Sequence, residues 1–341
     1  MINLLKASVI IATHNKAEYL NLTLAGYVSQ VNKEFEIIII NDGSTDNTME
    51  IVNAYQNELN IYYIEIKHLG KSYARNLGLD SAKSEIIIIA DDDRIPSPNF
   101  VEEHIIKSTI SSNTVHIGNK FAVYTKYSNE IKIRNSDFLL TIMSKLFPDL
   151  ESFPPKKNTM LVSTDEIINN FEDTINKIYA YEQYDNYGFI QKHYGAELEG
   201  FYIGWSCATT ANLSFNRVLG NEIRFDTNFV GWGMQDIEFS YQLSKKGYKF
   251  AFAVDAVNYH QLHERKTGEL KQLMSNMSYF CNKHKSLDAF LHVLPFESAN
   301  GEFTFIDSND LYIALQQENS EPLIKILNFM KSIWIEKINK L

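Results

Sequence analysis

Three apolar runs near the start of the chain contain almost no polar interruption: ASVIIA at Ala7–Ala12, FEIIII at Phe35–Ile40 and IIIIA at Ile86–Ala90. Continuous, largely β-branched runs of this length read as strands buried on both faces, as in a parallel sheet. Ile61–Ile66 reads as a further short strand. Between the first two runs, Lys16–Gln30 places Tyr19, Leu20, Leu22, Leu24, Tyr27 and Val28 at helical spacing, so the segment predicts a crossover helix. Further helices are predicted from about Asn47 to Leu59 and around Ala74–Gly78. Strand and helix therefore alternate for a hundred residues, which predicts an α/β fold with a doubly wound, mostly parallel sheet and helices on both faces.

The pattern is less regular from about Lys120 to Gly200, with a Pro154-Pro155-Lys156-Lys157 break. It resumes near Trp205–Phe215, then gives an apparent helix opening at Asp236 and Glu238, and a late strand, Phe250–Tyr259. The aromatic stretch Tyr179, Tyr181, Tyr184, Tyr187 and Phe189 reads first as packing. Pro322–Leu341 is amphipathic, with Leu323, Ile324, Ile326, Leu327, Met330, Ile333, Trp334 and Ile338 set against Lys325, Lys331, Lys337 and Lys340. Packing on its own domain or a partner ranks first for it, and contact with an anionic membrane surface second.

Chemistry gathers at the strand ends. In an open α/β sheet, ligands bind beyond the carboxyl ends of the strands. Thr13-His14-Asn15, Asp42–Asp46 and Asp91-Asp92-Asp93 all leave strands on that one edge. Alternation along the fourth strand predicts Asp91 and Asp93 on one side and Asp92 on the other. Two carboxylates so placed repel each other unless a hard divalent cation such as Mg²⁺ or Mn²⁺ lies between them and a second anion, for instance a diphosphate. The plainer reading is an acidic turn with Asp93 capping the next helix. Neither GxGxxG nor GxxxxGK[ST] occurs, so carboxylates and a metal would have to do much of the nucleotide holding. Farther on, Gly231 and Gly233 flank Trp232, suggesting a backbone bent closely around a ligand. His260 and His263 follow the late strand, a weak metal signal on its own.

Composition narrows the partners. The 341 residues are 45% apolar, enough for a large core, and carry a net charge of −10 with no basic cluster, which argues against nucleic acid. Cys207 and Cys281 alone cannot form a disulfide framework or a cysteine zinc site. The N-terminus passes straight into a strand without the features of a signal peptide, and no apolar run is long enough to span a bilayer, so the expected location is cytoplasmic, with the inner face of the membrane as the peripheral alternative.

Taken in order, SVIIATHN, NDGSTD, ARNLG, the D-x-D of Asp91 and Asp93 with its PSP exit, GWGMQDIEF and YHQ resemble the family 2 glycosyltransferases of the GT-A fold. The likeness extends to the transferase domains of bacterial chondroitin polymerase, with related patterns in polypeptide N-acetylgalactosaminyltransferases. It runs from about Ser8 to His260 and is weaker in the middle. His14 stands where an aromatic is common, Gln235 where glutamate is frequent and Ala211 where glycine is usual. The resemblance implies a transferase domain over residues 1–265, with a nucleotide-binding half at 1–118 and an acceptor-side half at 119–265, and leaves 266–341 as a mainly helical extension.

The resemblance also implies roles. Thr13, Asn15 and Asp42 would hold the uracil and ribose of a UDP-sugar, Arg75 would lie near the ribose or diphosphate, and Asp91 would face the nucleotide and sugar, with Asp92 beside it. Asp93 and His260 would bind Mn²⁺ or Mg²⁺, and Asp236 matches the general base. Glu238 is its alternative, and Trp232 would form a floor beneath sugar or acceptor through its apolar face. The expected reaction is inverting transfer of an N-acetylhexosamine or hexose to a saccharide, lipid or peptide acceptor. Other readings are a nucleotidyltransferase, whose glycine-rich, arginine-containing N-terminal loop is absent from Ala12–Ala17, and a non-catalytic sugar-nucleotide- or carbohydrate-binding module.

Overall fold

A computed structural model describes residues 5–127, 159–183, 187–217, 222–264, 268–297, 302–338 and 340. The Pro154–Lys157 break and Tyr184 lie outside them. The predicted alternation is present: β1 (Ala7–Thr13), α1 (Ala17–Val28), β2 (Phe35–Asp42), α2 (Thr48–Tyr55), β3 (Ile61–Ile66), α3 (Lys71–Ser81) and β4 (Ile86–Asp91). β1 pairs in parallel with both β2 and β4, and β2 with β3. Alternate residues of each long strand serve two cores, one on either side of the sheet: Ile10, Ile38, Ile87 and Ile89 face one, and Val9, Ile11, Ile37 and Ile88 the other. This double burial is why the strands read as unbroken apolar runs.

The sheet then changes character. After a turn at Asp92 and Asp93 comes a three-residue strand, β5 (Arg94–Pro96), followed by α4 (Phe100–Ile110) and β6 (Thr114–Val123). α5 (Thr164–Asn169), α6 (Phe171–Ile178), β7 (Tyr179–Glu182) and α7 (Gly188–Tyr194) precede a 3-10 turn at Gly204–Cys207 and β8 (Asn212–Asn216). α8 (Gln235–Lys245) and β9 (Lys249–Gln261) complete the sheet, whose order is β3-β2-β1-β4-β8-β6-β9-β5 with β7 on β6. β8 runs antiparallel between β4 and β6, so the sheet is mixed and its purely parallel part is the N-terminal half.

Gly118 sits where the β6 register with β9 shifts. A Cβ there would stand 2.1 Å from Asn212 Oδ1 and 2.4 Å from the Ala256 carbonyl oxygen. Asn212 is committed: its Nδ2 donates to the Asn119 and Ala256 carbonyls, and its Oδ1 pairs with His104 Nε2 at 2.8 Å. Gly118→Ala is therefore expected to cost about 1–3 kcal/mol from overpacking, and a similar amount again if Asn212 is driven off its buried partners. Urea denaturation checks it; an unchanged midpoint would refute the crowding.

Four helices end the chain: α9 (Glu269–His284), α10 (Leu287–Glu297), α11 (Phe305–Leu315) and α12 (Glu321–Ile338). They share a core with the sheet, with Phe280, Phe290 and Trp334 in the same cluster as Ile10 and Ile38. α12 packs inward through Leu327, Trp334 and Ile338, while Ile326, Phe329, Met330 and Ile333 stay exposed. Among the described residues no helix is long and apolar enough to cross a membrane. In the aromatic stretch Tyr187 is buried, edge-on to Phe305, as packing requires.

Candidate active site

Two loops meet at the ends of β1 and β2. Thr13 is buried as the last residue of β1. Asn15 adopts a left-handed backbone, φ 53°, and ties the loops together: its N–H donates to Ser44 Oγ at 2.9 Å and its Oδ1 accepts from the Thr45 N–H at 2.7 Å. The Asp42 carboxylate, buried, accepts from the Leu69 and Gly70 amides at 2.7 and 2.9 Å. Its carbonyl oxygen lies 2.8 Å from His14 Nδ1 and 3.0 Å from His68 Nδ1, and the two imidazoles stack with centroids 4.1 Å apart. A carbonyl only accepts, so each Nδ1 carries a proton. The stacked pair was not visible as such in the sequence, because His68 belongs to a different loop.

The three acids do not share one cation. β4 ends at Asp91 and the chain turns at once, so strand alternation does not extend to Asp92 and Asp93. Asp91 Oδ1 takes Lys71 Nζ at 2.8 Å and Arg75 Nη2 at 2.9 Å. Burial opposes ionisation of Asp91, yet Lys71 and then Arg75 hold it well below the usual carboxylate range. Asp92 is pushed the other way, to about 6, by burial and then by the neighbouring Asp93 charge. Asp93, also buried, is held low chiefly by the Lys16 charge. Its Oδ2 lies 2.9 Å from Lys16 Nζ, 3.1 Å from His263 Nε2 and 3.8 Å from His260 Nε2. Neither Lys16 nor Lys71 stood out in the sequence, since only the folded loops set them against the acids.

Asp93, His260 and His263 present ligand atoms within 4.8 Å of one another, a carboxylate and two imidazoles able to hold a divalent transition metal. The imidazoles are oriented differently. His263 Nδ1 donates to the Glu264 carbonyl at 2.9 Å, and its Nε2 lies 3.1 Å from Asp93 Oδ2, a contact that takes a proton on Nε2 or a cation in that proton's place. Arg94 Nη1 donates to Gln183 Oε1 at 2.8 Å, turning the Gln183 amide NH₂ toward His260 Nδ1 at 2.7 Å. His260 is thereby an acceptor at Nδ1 and carries its neutral-form proton on Nε2, and burial lowers its pKa to about 3. Both imidazoles belong to the candidate ligand set, and it is His263 whose outer nitrogen is held by a backbone carbonyl, the arrangement common behind a metal-bound imidazole.

Asp236 lies in the first turn of α8 and is half-buried, with its Oδ1 accepting from the Ile237 N–H at 3.0 Å. Burial raises its pKa; Arg75 is the strongest charge opposing that rise, and Asp91 and Lys71 are also within electrostatic reach. It therefore belongs to the same polar edge. Glu238 does not. Two residues on along a helix is about 200° around it, and the Glu238 side chain is fully buried against Lys283 at 2.7 Å, Gln242 at 2.7 Å and His284 at 3.1 Å. Its carboxylate is spent on these partners and faces α9 in place of the polar edge. Gly231 and Gly233 have φ of 75° and 96°, and the space their missing side chains leave is taken by Gln272 and Leu273 of α9, not by a ligand. The Trp232 side chain between them remains 38% exposed.

Comparison with known proteins gives the family and the fold. The model for glycosyl transferase family 2 matches residues 8–193. YfnE of Bacillus subtilis, an uncharacterized glycosyltransferase, is 26% identical over 299 residues, spanning 84% of this chain and 73% of that protein. Chondroitin synthase of Pasteurella multocida is 27% identical over 306 residues, which is 85% of this chain but 29% of the relative, so the chain spans under a third of that protein. In three dimensions the fold resembles S. aureus TarS 1–349 solved with UDP-GlcNAc, with a TM-score of 0.57 and 15% identity over 98% of this chain and 90% of that one. It also resembles the mannosyltransferase PcManGT of Pyrobaculum calidifontis solved with GDP-Man and Mn²⁺, with a TM-score of 0.53 and 16% identity over 96% of this chain and 80% of that one. With a GT-A sheet and the acidic edge at its strand ends, this chain belongs to glycosyl transferase family 2.

Proposed function

We propose that the protein is an inverting, metal-dependent glycosyltransferase that moves a hexose or N-acetylhexosamine from a UDP-sugar to an acceptor in polysaccharide or glycoconjugate synthesis. The observation that carries the reading is the meeting at one edge of a metal-competent set, Asp93 with His263 and His260, a cationic pair, Lys71 and Arg75, and a half-buried carboxylate, Asp236. When bound, the metal neutralises charge that develops on the departing diphosphate. The imidazoles favour Mn²⁺ over Mg²⁺.

The chain's own groups do the rest. The stacked His14 and His68 rings offer a flat surface to the pyrimidine beside Asn15 and Asp42. Lys71 and Arg75, held ready by Asp91, supply positive charge to the diphosphate. Asp236 takes the acceptor's proton as the acceptor oxygen attacks the anomeric carbon from the side opposite UDP, which inverts that centre. Trp232 offers an apolar face to sugar or acceptor. We place the enzyme in the cytoplasm, a setting in which its two buried thiols stay reduced.

UDP release from a panel of UDP-sugars, with Mn²⁺, Mg²⁺ or EDTA and slow hydrolysis as the readout, tests this without an acceptor. Turnover of one donor, greatest in Mn²⁺ and abolished by EDTA, is the expected result. No release across the panel, together with no UDP binding by calorimetry, would refute it.

A further inference from the structure

Helix α9 lies outside the segment matched by the family model, yet one polar stripe of it touches the catalytic loop at every turn. Gln272, Asn276, Tyr279 and Lys283 recur at i, i+4, i+7 and i+11, one face of a helix. Gln272 Oε1 accepts from the Trp232 N–H at 2.9 Å. Asn276, buried, directs its Nδ2 at the carbonyls of Val230, Trp232 and Gly233, at 3.1, 3.3 and 2.9 Å. Tyr279 donates to Asp226 Oδ2 at 3.0 Å, and Lys283 reaches both Asp226 Oδ2 and Glu238 Oε1 at 2.7 Å. The stripe thus spans the loop from its start at Asp226 to the first turns of α8.

The loop needs such a hold. Gly231, Gly233 and Met234 all have left-handed backbones, with φ of 75°, 96° and 75°, and for Met234 that conformation is strained and persists only where its surroundings impose it. The glycines permit the hold: a Cβ on Gly231 would lie 2.4 Å from Gln272 Oε1, and one on Gly233 2.6 Å from Leu273 Cδ1.

We propose that Gln272 and Asn276 are positioning residues for transfer, fixing the Gly-Trp-Gly backbone so that Trp232 and Asp236 are presented to the sugar and acceptor in one geometry. The inference rests on Asp236 acting as the base. Because the side-chain hydrogen bonds of both residues go to loop backbone, their removal loosens placement and leaves the nucleotide edge intact.

The test compares Gln272→Ala, Gln272→Glu and Asn276→Ala in the full chain, reading hydrogen exchange over residues 228–238 together with kcat and donor KM in Mn²⁺. Gln272→Ala is expected to speed exchange at the Trp232 amide about tenfold and to lower kcat about 5- to 20-fold, with donor KM within about twofold of wild type. Gln272→Glu keeps the accepting oxygen and restores both readouts, and Asn276→Ala exceeds Gln272→Ala in both. Unchanged exchange in Gln272→Ala would overturn the proposal, as would an equal loss of kcat in Gln272→Glu. Gln272 is exposed, so its two variants decide the matter even if Asn276→Ala does not fold. Should Asp236→Asn keep its turnover, the base assignment fails separately, while the exchange result still rules on the hold.

Discussion

Asp236→Asn is expected to reduce transfer by roughly 10²–10⁴-fold while leaving UDP binding unchanged. Asparagine keeps the size of the side chain and an oxygen able to accept from the Ile237 N–H, so the first turn of α8 survives the change. What disappears is the capacity to take a proton. Burial has already moved the Asp236 carboxyl up from its ordinary range, toward the proton affinity that suits a base near neutrality, and Arg75 keeps that rise in check. Acceptor-dependent product formation and UDP calorimetry on the same preparation check the prediction. Near-wild-type turnover in the variant would remove Asp236 from the role.

Asp93→Ala should abolish Mn²⁺-stimulated donor hydrolysis, and the two histidines should then separate. His263→Ala is expected to weaken Mn²⁺ binding at least tenfold, whereas His260→Ala should have a smaller effect, because Gln183 already occupies the Nδ1 of that ring and leaves a proton on Nε2. Titration of Mn²⁺ in the presence of UDP, followed by calorimetry or by the paramagnetic signal of free metal, gives the ranking. A larger loss in His260→Ala would refute the tautomer argument built on Arg94 and Gln183.

The parallel half of the sheet could be read from the sequence because both its faces are buried. Ile37–Ile40 and Ile86–Ile89 have nowhere to place a polar residue, and the run of isoleucines records that directly. β5 left no such record. Three residues with a proline at the end become a strand only because Arg94 and Pro96 meet His260 and Asn258 of a strand more than 150 residues away. β8 falls where the regular pattern resumes, near Trp205–Phe215, but its direction is set by its neighbours and not by its own period. At the site, D-x-D and GWGMQD lead to one polar edge, yet how each histidine meets Asp93 depends on where β9 ends, at Gln261, and on how the chain bends after it. The exclusion of Glu238 follows from helix geometry already latent in the spacing, and burial against Lys283 makes it concrete.

The route of the sheet has a mechanical consequence. β4 is followed after only two residues by β5, while the hydrogen-bonded path from β4 to β5 runs the other way around, through β8, β6 and β9. Backbone and ladder therefore form a closed circuit, pinned at the acids by the Gln261 N–H on the Asp93 carbonyl at 2.9 Å. A hinge that parted the nucleotide side from the rest would have to tear strands apart. Any motion that admits or releases a ligand at this edge is therefore left to the loops at the rim.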